Sequence, residues 1–288
     1  RYGVIPCASS LDQAGCLTRD MTDCALVMNA ISGHDPQDST SVSGATSDFT
    51  NFLTDDVKGL KIGIPQEYLQ GRVVPEVMAS FEQAVKKLEE LGAHCAEVSL
   101  AHQEAIVATY QIIVAAEASS NLARFDGVRY GLRIEGEDVD SLFKKTRSQG
   151  LGAEAKKQII LGTYVLSSAQ YEDYYLKALK VRALIKEELA KVFQEYDCLL
   201  TPTTPTVAFD LGADKEKISR GKLDSLTCLA NLAGIPALSL PWGTLQGRPV
   251  GLQLLSRACG EETLFRVGYT LEQNTNQTRL KLKGKEVK

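Results

Sequence analysis

The sequence predicts an α/β fold, and three observations carry that reading. LKIGIP, then VPEVMASFEQAVKKLEELGA, then HCAEVSL read as strand, helix and strand with short joints. That is a βαβ unit, which implies a parallel pair covered by a helix. Further on, IPALSLPWG and RPVGLQLLS read as strands joined by the hairpin signal TLQG. Between these groups, residues from about 102 to 195 are largely helical in pattern. A chain of 288 residues holds one large α/β domain or two modest ones. It shows neither an internal repeat nor a low-complexity linker.

Taken in order, Val4-Ile5-Pro6 reads as the end of a short buried strand. Thr18 or Asp20 can cap a helix whose apolar positions are Met21, Ala25, Val27, Met28 and Ile31. Gly33 stops it, and His34-Asp35-Pro36 supports the stop. The stretch HDPQDSTSVSGATSDFTNFLTDDVKG is polar and reads as a surface loop. In the following helix Val77, Phe81, Ala84, Leu88 and Leu91 recur at three- and four-residue steps, with Pro75 in the first turn and Gly92 at the stop. EAIVATYQIIVAAEASSNLARF is so apolar that burial on most sides is expected. A polar segment runs from Asp126 to Gly152, and two more helices follow. The second of these offers Tyr171, Tyr175, Leu179, Leu184 and Leu189 as core positions. DCLLTPTTPT is a short strand entering a proline-rich loop, LDSLTCLANLAG a helix, and EETLFRVGYTLEQN the last helix. Residues 276–288 form a basic tail expected to be disordered.

Composition excludes several functions. Hydrophobic residues are 44% and charged residues 24%, an ordinary globular balance. The net charge of −4 argues against a nucleic-acid surface made by this chain alone. No apolar run approaches the ~20 residues that span a bilayer, so no membrane association is expected, and no signal peptide is visible. The seven cysteines include no C-x-x-C pair and read as reduced, buried packing residues. The three histidines (His34, His94, His102) have no metal-binding spacing, so no metal site is expected.

Several blocks carry a likeness. SSLDQAGCLTR, AISGHDPQDSTS, EASSNLARFDGVRYG, LGTYVLS, KVRALI, NLAGIPALSLP and GRPVGLQLL occur in order from residue 1 to about residue 275. In these blocks the chain resembles the amidase signature family, and within it most nearly the glutamine-hydrolysing A subunits of tRNA-dependent amidotransferases. The resemblance implies an α/β/α sandwich around a large mixed sheet, with residues 1–275 as the C-terminal portion of a single amidase domain. The family's reaction uses a Ser nucleophile, a second Ser and a Lys base near glycine-rich turns, which together can deprotonate a hydroxyl. No Gly-Gly dipeptide occurs in the sequence. The chain also starts at Arg1 within dense packing chemistry, so its start reads as a cut. All three catalytic groups are expected to precede Arg1, which leaves no catalytic residue in this chain and makes it inactive alone.

The activity so implied is hydrolysis of glutamine to ammonia. The ammonia passes to a B subunit that amidates Glu on charged tRNA, with ATP and Mg bound there and no cofactor in this chain. B and C subunits are the implied partners, and the implied location is the cytoplasm, or an organellar matrix if the parent carries a transit peptide. Three residues match the family's substrate pocket. Tyr110 matches a pocket tyrosine, although a helix tyrosine in a core reads equally well from its position. Asp224 matches the aspartate facing the substrate α-amino group; it also suits a helix N-cap. Gln158 stands where the family typically has an arginine that clamps the α-carboxylate. Glutamine supplies neither the charge nor the fork. Lys157 is adjacent, but neighbouring helix residues point about 100° apart. In the same resemblance, Cys16 stands where a proline usually follows the glycine, here Gly15. Gln253 reads as bonded to backbone, and Arg124 with Asp126 as a local ion pair. Two alternatives stay open: an amidase-signature hydrolase acting on another small amide, and a non-catalytic scaffold surface for partner subunits.

Overall fold

The computed structural model describes residues 2–44, 47–212 and 224–275. Helix α1 (Met21–Ile31) is capped by Asp20, whose carboxylate accepts from the Asp23 N–H at 2.8 Å. Thr18 supports the cap from outside, donating to the Asp20 carbonyl at 3.0 Å. The helix ends where the Ser32 N–H bonds the Met28 carbonyl, one residue before Gly33. The strand expected at Val4-Ile5 does not form: both side chains are exposed, at 56% and 74%. Two apolar residues before a proline supply too little pattern to hold a ladder. Ala8 and Leu11 are the buried residues there instead.

The βαβ unit is present. Strand β1 (Lys61–Ile64) lies parallel to β2 (His94–Glu97), with Lys61 opposite His94. The short helix α2 (Gln66–Leu69) and helix α3 (Pro75–Glu90) connect them. Pro75 opens α3, which buries Val77, Phe81, Ala84 and Leu88. After the helical middle, β3 (Cys198–Pro202) pairs parallel to β1. The last two strands, β4 (Ala237–Leu245) and β5 (Arg248–Leu255), form the antiparallel hairpin. Its two turn residues, Gln246 and Gly247, both have positive φ (53° and 75°), as a type I′ turn requires. The five-stranded mixed sheet runs β2-β1-β3-β5-β4.

The helices are α4 (Ile106–Leu122), α5 (Val139–Gly150), α6 (Ala153–Val165), α7 (Lys177–Glu195), α8 (Cys228–Ala233) and α9 (Glu261–Gln273). On one face of the sheet, Trp242 donates its indole N–H to the Ser80 carbonyl of α3 at 2.9 Å, and Leu238 packs on Gly268 of α9. On the other face, Gln253 reaches the 3₁₀ turn Asp224–Leu226 that leads into α8. The sheet is therefore covered on both sides, in the α/β/α arrangement expected.

Four local expectations are corrected. Helix α5 lies inside the stretch read only as polar. It is built on an Asp138–Ser141 capping box and buries only Leu142 and Thr146, too thin a stripe to register as periodicity. Tyr171 and Leu184 are exposed, at 40% and 45%. A π-helical turn over Tyr171–Leu176 adds a residue to the count and rotates the tyrosine out of phase, while the buried stripe of α7 runs through Ala178, Ile185 and Leu189. Cys7 and Cys259 are exposed rather than packed, although all seven cysteines are free. Arg124 and Asp126 do not pair. The guanidinium donates to the Asn121 carbonyl and side chain at 3.0 and 2.9 Å, and Asp126 accepts from the Val128 N–H at 2.9 Å. The basic tail lies outside the described residues. Among those residues no helix is long and apolar enough to cross a membrane.

Helices α4 and α6 cross at a glycine. A Cβ on Gly162 would lie 2.0 Å from the Ala115 carbonyl oxygen and 2.5 Å from the Ser119 Cβ. The obstacle is backbone, so it cannot swing aside. Gly162→Ala should therefore destabilise the fold by about 1–3 kcal/mol, read as a lower urea midpoint at unchanged slope. A second expectation concerns alkaline pH. Burial pushes the Cys198 thiol up and the Cys228 thiol up to about 12 from 9.0. In the unfolded chain these thiols ionise first, so the unfolded state holds fewer protons above pH 9. Stability contributed by each is whole below that pH and falls by about 1.4 kcal/mol per unit as pH rises toward the folded value. Urea midpoints between pH 8 and 11 should fall accordingly, and less steeply for Cys228→Ala.

Candidate functional site

The site is built around the turn Asp224–Leu226, which two buried donors hold in place. The Tyr68 hydroxyl donates to the Ser225 carbonyl. Gln253 Nε2 donates to the Leu226 carbonyl at 3.0 Å and to Thr201 Oγ1 at 3.0 Å. Tyr68, Thr201, Ser225 and Gln253 are all at most 4% exposed. Gln253 thus bonds to backbone, as read from its apolar flanks. Asp224 opens this turn with its side chain exposed. It is not the cap of α8, whose N-cap is Thr227. Only the Asp224 carbonyl is engaged, by the Thr227 N–H at 3.1 Å and the Thr227 hydroxyl at 3.2 Å. A cap needs the carboxylate turned back onto N2 or N3, and here it stays free of the described residues.

Tyr110 lies on α4, partly buried against the main core. Burial raises its phenol above the ordinary range, and Cys228, Asp224, Cys7 and Asp12 add to the rise. Helix α4 packs against the turn Asp224–Leu226. Gln158 sits on α6, one turn before Gly162 and so on the same helical stripe that meets α4. Its Oε1 is buried and has no hydrogen-bond partner among the described residues. Lys157 is exposed.

A loop not singled out by the sequence reading completes the neighbourhood. Asp12 accepts from the Cys7 and Ala8 N–H groups at 2.8 and 3.1 Å, and Asn231 of α8 donates to the Leu11 carbonyl at 2.8 Å. Arg182 of α7 donates to Ser10 Oγ at 2.6 Å, to the Ser10 carbonyl at 2.8 Å and to the Leu232 carbonyl at 2.7 Å. Glu117 of α4 accepts from the Ser10 N–H at 2.8 Å and from its hydroxyl. The available signal was Glu117 itself, a lone acid within the apolar run of α4. A separate cavity of about 720 Å³ lies between residues 9–21, the start of β4 and α9, and none of Tyr110, Gln158 or Asp224 lines it.

The amidase family matches residues 1–265 of this sequence. The chain belongs to the amidase family. It is 53% identical over 283 residues to the A subunit of the glutamyl-tRNA(Gln) amidotransferase of Desulforamulus reducens, covering 98% of this chain and 58% of that protein. It is also 53% identical over 280 residues to the same protein of Moorella thermoacetica, covering 97% of this chain and 58% of the relative. Among solved structures it resembles the glutamyl-tRNA(Gln) amidotransferase A subunit of Thermotoga maritima, with TM-score 0.75 and 37% identity over 94% of this chain and 54% of that one. The chain therefore spans about 58% of the length of these curated relatives.

If the paired donors fix the turn, removing one should loosen it. Gln253→Leu leaves the Leu226 carbonyl and the Thr201 hydroxyl without their partner in a buried site, at a cost of about 1–3 kcal/mol. Chemical denaturation of the variant should show that loss, and amide exchange in residues 224–228 should accelerate.

Proposed function

We propose that this chain forms the substrate-binding wall of a glutamine-hydrolysing amidotransferase subunit. The supporting observation is that α4, which carries Tyr110, packs against the turn that carries Asp224, and that buried donors hold this turn. In this reading the Asp224 carboxylate takes the α-ammonium of glutamine, a charge-assisted contact, and the Tyr110 hydroxyl borders the same ligand. The Ser-Ser-Lys chemistry comes from residues outside 1–288. Released ammonia passes to a B subunit, which binds ATP and Mg and amidates Glu on charged tRNA, with a C subunit completing the assembly. The similarity to amidotransferase A subunits supports this reading over another amidase activity.

The test is ammonia release from glutamine by a full-length subunit carrying these residues, assembled with B and C subunits. Residues 1–288 alone should release none. In the assembly, Asp224→Asn should raise the glutamine KM about tenfold or more, since a charge-assisted contact is worth roughly 1.5–3 kcal/mol. An unchanged KM would remove Asp224 from the site.

Gln158 favours a second reading, in which the substrate is a small amide without an α-carboxylate. Its orphan Oε1 is an acceptor, and a carboxylate requires a donor. Turning the amide over would present Nε2 instead, but without charge. If Gln158 does meet the α-carboxylate, Gln158→Arg should lower the glutamine KM roughly tenfold with little change in kcat. A change below about twofold would match an ordinary surface substitution and return the carboxylate role to Lys157 or to residues outside this chain.

A further inference from the structure

We propose that Cys16 and Cys24 form a reversible oxidation site, a dithiol that closes to an intramolecular disulfide under peroxide. The two Sγ atoms lie 3.5 Å apart, and both thiols are free. A disulfide needs about 2.0 Å between sulfurs, so closure asks for an approach of roughly 1.5 Å. The chain can supply it from one side. Cys24 is buried in the first turn of α1 and is fixed by the Asp20 cap. Cys16 is only partly buried and sits between exposed Gly15 and Leu17, the latter fully exposed at 103%. Gly15 has open space where a Cβ would stand.

The asymmetry also sets the order of events. Burial and the neighbouring Cys16 push the Cys24 thiol up to about 12, so Cys24 stays protonated and shielded while Cys16 meets the oxidant. Peroxide oxidises the Cys16 thiolate to a sulfenic acid, with the O–O bond breaking and one oxygen leaving as water. Cys24 Sγ then attacks the sulfenic sulfur. The S–S bond forms, the S–O bond breaks, and the hydroxyl leaves as a second water with the Cys24 proton. The balance is two thiols and one peroxide to one disulfide and two waters. The link encloses Leu17–Asp23 and pins the segment bordering the cavity beside α1.

The test is thiol mapping of the folded chain after hydrogen peroxide treatment, with remaining thiols alkylated before digestion. Trypsin cuts after Arg19 and Lys58, so residues 2–19 and 20–58 separate unless Cys24 is linked. Residues 2–19 also contain Cys7, so the chain is compared with Cys7→Ser and Cys16→Ser. The expected result is a crosslinked peptide pair in the parent and in Cys7→Ser, lost in Cys16→Ser and reversed by dithiothreitol. Two results would overturn the proposal: Cys16 passing to sulfinic acid with no crosslink in the parent, or a crosslink that survives in Cys16→Ser and disappears in Cys7→Ser.

Discussion

The guanidinium of Arg182 is the contact on which the N-terminal segment and the helical layer both depend. It donates to the Ser10 hydroxyl and carbonyl and to the Leu232 carbonyl, while Glu117 takes the Ser10 N–H and hydroxyl from the other side. One loop residue is thereby held by α4 and α7 together, and the same arginine closes the C-terminal end of α8. Burial pulls the Arg182 pKa down, with Glu117 and Tyr175 opposing that. An arginine remains charged under such burial where a lysine would shed its proton, and its planar fork reaches three acceptors at once. The loop has little helix or strand of its own. Its Ala8 and Leu11 are buried because these polar contacts fix the backbone that carries them.

From that anchor the candidate site follows by short steps. Residues 7–12 are held against α4 through Ser10 and Glu117. Gln253 fixes the Leu226 carbonyl, and the turn Asp224–Leu226 so held packs against α4, the helix that carries Tyr110. The two walls come from parts of the sequence more than 200 residues apart, and the sheet keeps them in register through β3 and β5, where Thr201 stands opposite Gln253. The Asp224 carboxylate does not cap α8: the N-cap position is Thr227, whose hydroxyl donates to the Asp224 carbonyl at 3.2 Å.

Periodicity and turn chemistry made the frame legible. Val77, Phe81, Ala84 and Leu88 repeat clearly enough to define α3, and Gln246-Gly247 carries the positive φ that a two-residue hairpin demands. The misses have physical causes. At Tyr171 the π turn breaks the period on which such counting relies. At Val4-Ile5 hydrophobicity was present without any partner to pair with. At α5 a capping box, not an apolar stripe, starts the helix. The site was legible only residue by residue, through the family resemblance. The composition of α4 says that it is buried, but not that Glu117 takes the Ser10 N–H and hydroxyl.

The two faces of the sheet explain where chemistry could reside. One face is closed by Leu200, Leu238, Leu240, Leu252 and Leu254 under α3 and α9, and little room remains for a polar ligand. The opposite face carries the buried polar groups Thr201 and Gln253; Gln253 Nε2 donates both to the Thr201 hydroxyl and to the Leu226 carbonyl of the turn. Burying such groups costs stability unless each is paired, and nearly all are. Among the described residues the exceptions are Oε1 of Gln103 and Oε1 of Gln158. Gln158 stands on the helix that presses Gly162 against α4. A buried acceptor left unmet costs about 1–3 kcal/mol. A donor brought to that oxygen would recover that energy.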